Sequence, residues 1–562
     1  MTKQLEFVFH GVDTTSGTYV AWESEDCPPA FVVLDRKELV RVTQALRRSL
    51  PDYMDDDDQV TGAQVERLER DYPPLPAQPD VGTGPEDDDD EMARFFDDDD
   101  EDETASTATP DPLEVGHFLR VVDGALAGDP ERELELMRDL AQVLVPPGFL
   151  ASLLEAVDTP GQRVLLAVNP PPSCGQVPWE LMPTGRTTPD GQVERFLDVL
   201  DVVTMGPVLG RDSEPSLPHP SWERVRDAPA VYLVQPWQQG AGRAGVLNGS
   251  ELAAWEERVR GYEPAPVTVG SAPAEAGGRG DARGTTRLQL SAVLRQDPDV
   301  VTVDNRRPLS HLLYVGHMTG TGGDSRLQLA DSRACYGVYP TDQEGTRWFS
   351  ASDLVLGTID WREHAAKFRN TARAGQEPDL GDLLPTGVGF DGTDMSGAPA
   401  PEAHSGIYLW PMPPRVGLVA CQSGTETGQV EPFGMAAAIL EAGAELVMTT
   451  RWTMLTDEFF RRACQKESAR GFLDLSFAVD DCLRAPDAVL AMNEWKRGCL
   501  AAWRERPGIV TSPLTWAGLN AYWAPDRSFV PDAGGDEDGG EGGGANAGAA
   551  DSGAGGVWAV VA

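Results

Sequence analysis

The residues best suited to chemistry in this sequence are a histidine and a cysteine, each at the end of an apolar run. His317 follows the run at 311–316, and Cys421 follows the run at 415–420. Both runs have the length and composition of buried strands, and small or turn-forming residues come after each. Because open α/β sheets bind ligands at the carboxyl ends of their strands, neighbouring strands would bring the imidazole and the thiol to one edge.

The chemistry predicted for such a pair is nucleophilic attack by the thiolate, whose ordinary pKa is about 8.5. A nearby imidazole and the start of the helix predicted at 432–443 would both favour the thiolate. Backbone amides after the strand ends could bind the oxyanion of a tetrahedral intermediate, and the histidine would protonate the leaving amine. A lone cysteine is more often a small buried core residue, so this pattern alone leaves both roles open.

The cysteines form no pattern typical of a disulfide framework or a zinc site. There is no Cys-x-x-Cys and no Cys/His cluster, so we expect free thiols and neither a metal nor a cofactor. The seven are scattered along the chain: Cys27, Cys174, Cys335, Cys421, Cys464, Cys482 and Cys499.

Charge and length exclude several classes of protein. The chain has 562 residues and a formal charge of −44, much of it in runs of Asp and Glu, so phosphate-rich partners would be repelled. Nucleic acid and anionic membranes are therefore not expected partners. No apolar run approaches the roughly 20 residues that span a bilayer, and the first residues alternate like a strand. A cytoplasmic protein is expected.

Composition divides the chain into segments. The segment with three Asp-Asp-Asp-Asp runs cannot bury enough apolar surface to offset its ordering entropy. The predicted order is a small N-terminal α/β unit at 1–50, a disordered acidic linker at 51–111, a helical segment at 112–160, a main α/β domain at 161–527 with insertions near 264–284 and 365–405, and a disordered Gly-rich tail at 528–562.

Within the main domain, apolar strands alternate with helices, which predicts a mainly parallel sheet covered on both faces. Two local details are also predicted: Ser250 is expected to cap the helix at 249–262, and the helix near 130–145 is expected to bury an apolar face. That face consists of Leu134, Met137, Leu140 and Leu144. The tail ends in the apolar hexamer VWAVVA, for which an unstructured end or a hydrophobic hook for a partner both remain open.

Seven motifs in sequence order resemble the CHAT peptidase family, whose members are caspase-like cysteine peptidases related to separase, gingipain and caspases. The resemblance covers about residues 160–525. It rests on VPWELMP (177–183), HLLYVGHMTG, SRLQLADS, WFSASDL, RVGLVACQSG, FGMAAAILEAGAELVMTTRW and Asp457. It implies a caspase-like α/β sandwich and a catalytic dyad of His317 and Cys421, with backbone amides of Met318 and Cys421 in the oxyanion hole.

The sequence departs from the family pattern at three positions. Family members usually have glycine directly after the histidine, where this chain has Met318, and methionine resists the positive φ that glycine tolerates. Asp457 lies five residues past Trp452 rather than three or four, and Val419 stands where metacaspases have an aspartate that binds basic side chains. Asp324, Glu426 and Asp457 remain as candidates for a pocket that selects a basic side chain.

Other polar and aromatic residues are interpreted more simply. His311 is expected to be structural or a hydrogen-bond partner, and His364 or His404 would replace His317 only if the strand assignment failed. Trp179, Glu180 and Trp452 are expected to pack in the core, with Glu180 closing a polar contact.

The resemblance implies a regulated endopeptidase that cleaves a protein partner in the bacterial cytoplasm, in defence or programmed death. Its target would be a gasdermin-like or other effector, and an activating protein is a further expected partner. Two alternatives stay open. One is a pseudoprotease scaffold in which Met318 marks a decayed oxyanion hole. The other is a switch that processes itself, after Arg94 or within 264–284.

Overall fold

The computed structural model of the chain describes residues 3–51, 61–73, 112–206, 220–236, 245–267, 285–295, 308–319, 325–330, 348–357, 406–420 and 434–524. Its strands are β1 Lys3–Asp13, β2 Thr18–Ser24, β3 Cys27–Leu34, β4 Gln162–Asn169, β5 Pro183–Thr187, β6 Val193–Arg195, β7 Asp201–Met205, β8 Val231–Val234, β9 His311–Gly316, β10 Met318–Thr319, β11 Arg326–Gln328, β12 Trp348–Ser350, β13 Arg415–Ala420, β14 Leu446–Thr450 and β15 Leu519–Trp523.

Helices lie between these strands. They are Arg36–Arg48, Gly62–Asp71, Pro112–Val122, Pro130–Leu144, Pro147–Val157, Phe196–Val199, Trp222–Val225, Gly249–Arg260, Arg287–Leu294, Ala351–Leu356, Gly406–Leu409, Met435–Glu441, Asp457–Cys464, Gly471–Arg484, Ala488–Glu505 and Pro513–Trp516, with 3-10 turns at Pro172–Cys174 and Trp179–Leu181.

Ten strands form one sheet in the order β3-β2-β1-β4-β7-β15-β14-β13-β9-β8. Six of its nine neighbouring pairs are parallel, and the antiparallel pairs are β1–β2, β2–β3 and β14–β15. The prediction of an α/β protein with a mainly parallel central sheet is confirmed. The strands of residues 1–50, which the sequence set apart as a unit, hydrogen bond directly into this sheet through β1 and β4.

The sheet consists of two parallel blocks that run in opposite directions. β1, β4, β7 and β15 run one way, and β8, β9, β13 and β14 run the other way, because β14 and β15 pair antiparallel. The carboxyl ends of the two blocks therefore lie at opposite edges of the sheet. The strands that precede His317 and Cys421 both belong to the second block.

A helix packs closely on the strands of the second block. Gly417, in the middle of β13, faces the helix Gly471–Arg484. A Cβ atom at position 417 would lie 2.8 Å from Leu313 on β9 and 2.8 Å from Leu483 on the helix. Glycine is required here because these side chains already fill the space that a larger residue would occupy.

Three local predictions need correction. Within the segment expected to be a disordered linker, residues 62–71 form a helix that starts with a capping box at Thr61 and buries Leu68. The aspartate runs dominated the composition of that segment and hid the short amphipathic pattern of this helix. The helix Gly249–Arg260 is capped by Asn248 rather than by Ser250, because Asn248 lies one residue before the first helical turn.

The buried face of the helix Pro130–Leu144 is also shifted from its predicted position. Leu136 is buried and Leu134 is only half-buried, while Glu133 is fully buried. An ion pair accounts for the burial of Glu133: Arg195 donates to both of its carboxylate oxygens, at 2.8 and 2.7 Å. A buried bidentate pair of this kind can hold a charge on the inner face of a helix.

Among the described residues, no single helix is long and apolar enough to cross a membrane. One pair, Pro130–Leu144 and Pro147–Val157, reaches the length and composition only when the two helices are taken together, and they are bent by 107°.

Candidate active site

The candidate site lies at the carboxyl ends of β9 and β13. These strands are parallel neighbours, and their register pairs Gly316 with Ala420. In the sequence, His317 comes directly after β9 and Cys421 comes directly after β13. The sequence left open whether these two strands are neighbours, and the structure shows that they are, so the two candidate positions follow strand ends at the same level of the sheet.

Hydrogen bonds hold the backbone at both strand ends. The hydroxyl of Tyr314 donates to the carbonyl of His317 at 2.6 Å, and Gln328 N–H donates to the same carbonyl at 3.1 Å. The hydroxyl of Thr450, at the end of β14, donates to the carbonyl of Ala420. Sequence reasoning missed both contacts, although Tyr314 and Thr450 lie within the motifs that carry the CHAT resemblance.

Met318 lies in β10, the edge strand of a small antiparallel sheet with β11 and β12. Its register partner is Leu327, and the hydrogen bond from Gln328 N to His317 O flanks that pair. Hydrogen-bonded and non-hydrogen-bonded pairs alternate in an antiparallel ladder, so Met318 belongs to a non-hydrogen-bonded pair. Its N–H is therefore directed away from β11, off the edge of the small sheet.

The side chain of Met318 is buried in an apolar cluster with Leu327 and Tyr314. Its backbone is extended and does not adopt the positive φ that would favour glycine. Methionine at this position therefore requires no strained backbone, and its side chain contributes to the core beneath the site.

Several predicted site residues lie outside the described residues. Cys421 follows directly after the described Ala420, and His317 is described and half-buried. The helix expected to favour the thiolate starts at Met435, after Gly434. The other predicted residues outside the described ranges are Asp324, His364, His404 and Glu426.

Gln235 is a residue near this edge that the sequence did not single out. It follows β8 and has φ +46°, which is uncommon for a residue other than glycine. Its N–H donates to the carbonyl of Val315 at 2.8 Å, and its side-chain oxygen accepts from Leu247 N–H at 2.8 Å. Gln235 thus ties the end of β8 to β9 two residues before His317.

Glu180, from the VPWELMP motif, is fully buried in a charged network. Arg451 donates to both of its carboxylate oxygens, at 2.9 and 2.8 Å, and Lys496 donates to one of them. Arg451 also donates to Asn520 at 3.0 Å. Glu180 precedes β5, Arg451 follows β14 and Asn520 lies on β15, so the network ties together elements of both blocks. The expected polar contact of Glu180 is confirmed.

Burial and charge change the pKa values of Glu180 and Lys496. Glu180 is buried, which opposes ionisation, but Arg451 and Lys496 lower its pKa below the usual value. Burial lowers the pKa of Lys496 to about 8, although Glu180 opposes that change. The carboxylate thus stays ionised between two cations.

Asp457 is buried with a structural partner. Its carboxylate accepts from Phe472 N–H at 2.7 Å and from Leu473 N–H at 3.2 Å, at the start of the helix Gly471–Arg484. Burial, together with the nearby charge of Glu251, raises its pKa to about 7 although these hydrogen bonds oppose the rise. The side chain faces the protein interior, and a role for it in substrate recognition stays a prediction.

The raised pKa of Asp457 predicts a dependence of stability on pH. The folded state keeps the proton up to about pH 7, whereas the unfolded chain releases it at about pH 4. Between these values the folded state binds more protons, so the contribution of Asp457 to the free energy of unfolding falls as pH rises. We expect the stability advantage of the wild type over Asp457→Asn to be larger at about pH 4.5 than at about pH 7.5.

Urea unfolding at both pH values measures this difference. Asp227→Asn is the control, because Asp227 is 93% exposed. A gap between wild type and Asp457→Asn that is equal at the two pH values would contradict the prediction.

His311 lies at the opposite end of β9 from His317 and makes structural contacts. Its ring lies 3.2 Å from the Tyr232 hydroxyl and 3.0 Å from the Ser310 hydroxyl, and burial lowers its pKa. The Tyr232 hydroxyl donates to Asp480 at 2.7 Å. The expected structural role of His311 agrees with these contacts.

Three of the described cysteines are weakly acidic because they are buried. Burial raises the pKa of Cys174, Cys482 and Cys499 to about 12. These thiols are almost entirely protonated at neutral pH and are poor nucleophiles.

In the part of the chain that the structure describes, no group of three or more His, Cys, Asp and Glu side chains could hold a metal ion.

Comparisons with known proteins give a distant similarity in fold. No protein-family model matches the chain, and no curated protein matches it. Two structures of the Saccharomyces cerevisiae separase–securin complex are similar, with TM-scores of 0.34 and 0.33 and identities of 9% and 10%. The matches cover 92% and 93% of this chain but 30% of the matched chain. This chain therefore spans less than a third of the length of the protein that it resembles.

Proposed function

We propose that the chain is a cysteine endopeptidase in which Cys421 is the nucleophile and His317 is the general acid–base. The observation that carries this proposal is the register of β9 and β13, which pairs Gly316 with Ala420 immediately before the two residues. This register supports the proposal, because a thiol and an imidazole that directly follow neighbouring parallel strands could exchange a proton.

The proposed reaction has two stages. The Cys421 thiolate attacks the scissile carbonyl while His317 holds the proton taken from the thiol. The tetrahedral intermediate collapses as the C–N bond breaks and His317 gives its proton to the leaving amine. Water, deprotonated by His317, then hydrolyses the thioester and restores the thiol. Tyr314 and Thr450 act as positioning residues because they fix the carbonyls of His317 and Ala420.

The N–H of Met318 is the proposed oxyanion donor, since it points away from β11 at the same edge. Met318→Pro removes this N–H, whereas Met318→Ala keeps it and removes the same buried side chain. We expect turnover by Met318→Pro to fall by about 10²–10³-fold, and turnover by Met318→Ala to stay near that of the folded wild type. Steady-state peptide hydrolysis measures the effect.

A displaced His317 would also slow turnover in Met318→Pro, so alkylation of Cys421 by iodoacetamide is measured in parallel. Retained alkylation with lost hydrolysis supports an oxyanion role. Equal turnover by the proline and alanine variants would show that the Met318 amide does not contribute.

The substrate class is a protein partner in the cytoplasm, and the resemblance of the motifs to CHAT peptidases supports this part of the proposal. A regulated role in bacterial defence or programmed death follows from the same resemblance, with a gasdermin-like or other effector as target and an activating protein as partner. The caspase-like form of the α/β fold belongs to the proposal as well.

An electrophilic peptide probe tests the dyad. We expect it to label Cys421 at neutral pH, and His317→Ala to slow labelling by at least about tenfold because the imidazole stabilises the thiolate. Cys174, Cys482 and Cys499 serve as internal controls, because burial raises their pKa values to about 12. Peptide mapping identifies the labelled cysteine.

The same experiment separates the alternatives. Absence of labelling at Cys421, with the candidate target present, would overturn the proposal in favour of a scaffold without activity. Labelling accompanied by cleavage of the chain after Arg94 or within 264–284, and of nothing else, would identify a self-processing switch. Intact-mass measurement of wild type beside Cys421→Ala detects that cleavage.

A further inference from the structure

Exposed apolar side chains are concentrated at one end of the sheet. In the described part of the chain, the large hydrophobic side chains that are exposed are Val12 (42%), Phe31 (76%), Val33 (51%) and Val40 (44%). The register aligns Val12 with Tyr19 and Tyr19 with Val33, so Val12 and Val33 lie in one row across three strands. Phe31 lies on the same face, two residues before Val33. Neighbouring exposed apolar side chains make this surface a candidate for a contact with another segment.

The strand that carries Phe31 and Val33 is also the last one in the sheet. β3 pairs with β2 on one side, and no described strand pairs with its other side. Pro28 and Pro29 protect its first half, because proline cannot donate a ladder hydrogen bond. Its second half, Ala30–Leu34, contains neither proline nor charge and is a template for a further strand.

The C-terminal hexamer of this chain, Val557–Ala562, has the composition of such a strand. Its β-branched and aromatic residues favour extended structure, and it carries no charge or proline. It follows a spacer at 525–556 rich in Gly and Ala. The hexamer could therefore pair with the backbone of β3 on the side where no described strand lies, and its apolar side chains could pack beside Phe31 and Val33.

The position of β15 makes this edge reachable. β15, β7, β4, β1 and β3 all run in one direction. The carboxyl end of β15, at Trp523, therefore lies on the same side of the sheet as the carboxyl end of β3. A strand added outside β3 would lie six strand spacings from β15, or about 29 Å at about 4.8 Å each. A flexible coil with the length of the spacer has a root-mean-square span of about 28–34 Å. The two lengths match, which gives the highest effective concentration of the hexamer at β3.

We propose that residues Val557–Ala562 of this chain add as an antiparallel strand to the outer edge of β3, extending the sheet and covering Phe31 and Val33. The tail arrives from the edge at which β3 ends, which sets the antiparallel direction. This docking site lies at the opposite edge of the sheet from His317, so it does not depend on the proposed peptidase activity.

Hydrogen exchange of the full chain, followed by mass spectrometry, tests the proposal. The measured peptide covers Ala30–Leu34, and the test variant carries Trp558→Asp and Val560→Asp. We expect exchange in this peptide to become about tenfold faster in the variant, because the hexamer no longer pairs with β3. The control carries Ala547→Asp and Ala549→Asp, which add the same charge to the spacer and should leave exchange unchanged.

A second variant tests the geometry. Deletion of residues 528–556 keeps the hexamer but leaves three spacer residues, so the five residue steps from Trp523 to Val557 span at most about 18 Å. We expect this variant to lose protection at Ala30–Leu34 as fully as the aspartate variant does. Unchanged exchange in both variants would overturn the proposal. Protection that survives the deletion and decreases on dilution would also overturn it, since a second copy of the chain would then cover β3.

Discussion

Cys421→Ala is expected to lower the rate of substrate cleavage by at least about 10³-fold, while the chain stays folded. No described thiol can take over its role at the ends of β9 and β13, because Cys421 follows the strand whose last residue pairs with Gly316. Alanine removes the nucleophile and leaves in place the hydrogen bond from the Thr450 hydroxyl to the carbonyl of Ala420. The measurement is cleavage of a mixed peptide library and of proteins encoded beside the gene, with products identified by mass spectrometry.

Cys464→Ala is the matched control, because Cys464 is a half-buried thiol on the helix Asp457–Cys464 and makes no contribution to the proposed site. It should cleave the same bonds at the wild-type rate. The appearance of the same new termini with Cys421→Ala would contradict the proposed chemistry.

Glu180→Ala is expected to lower the free energy of unfolding by about 3–5 kcal/mol. The substitution leaves Arg451 and Lys496 buried beside each other without their shared carboxylate, and both side chains are only 2% exposed. Breaking a buried ion pair by removal of one partner is costly because the remaining charge has lost its compensation. Denaturant unfolding measures the change.

Glu155→Ala is the control for this prediction. Glu155 is exposed on the helix Pro147–Val157, so its loss should change the free energy of unfolding by less than about 0.5 kcal/mol. Glu180→Gln keeps the shape of the side chain but not its charge, and it should be destabilised nearly as much as Glu180→Ala. A stable glutamine variant would show that hydrogen bonding, rather than charge, holds the network together.

Local patterns predicted much of the secondary structure. The apolar runs before His317 and Cys421 are strands β9 and β13, because continuous Val, Leu and Ala side chains fit a sheet buried on both faces. The short helix after Ser350 starts with a local signal of the same kind, since the Ser350 hydroxyl accepts from Asp353 N–H in a capping box. Signals of this kind lie within a few residues of each other and need no knowledge of the fold.

Other features could not be predicted because their partners are far apart in the chain. The contact of Glu180 with Arg451 joins residues separated by 271 positions, and the burial of Glu133 depends on Arg195. The insertion of β15 between β14 and β7 is also beyond local pattern, since nothing in its five residues states which strands it joins or in which direction.

The sequence by itself determined that a histidine and a cysteine each directly follow an apolar strand, because strand length and turn residues are local properties. Only the tertiary structure decided that these strands are in-register neighbours, that the N–H of Met318 points off the edge of its small sheet, and that the chain has two opposed parallel blocks. Register and direction arise from hydrogen bonds and packing between segments that are distant in sequence. For that reason, the spatial relation of His317 to the residue before Cys421 had to come from the fold.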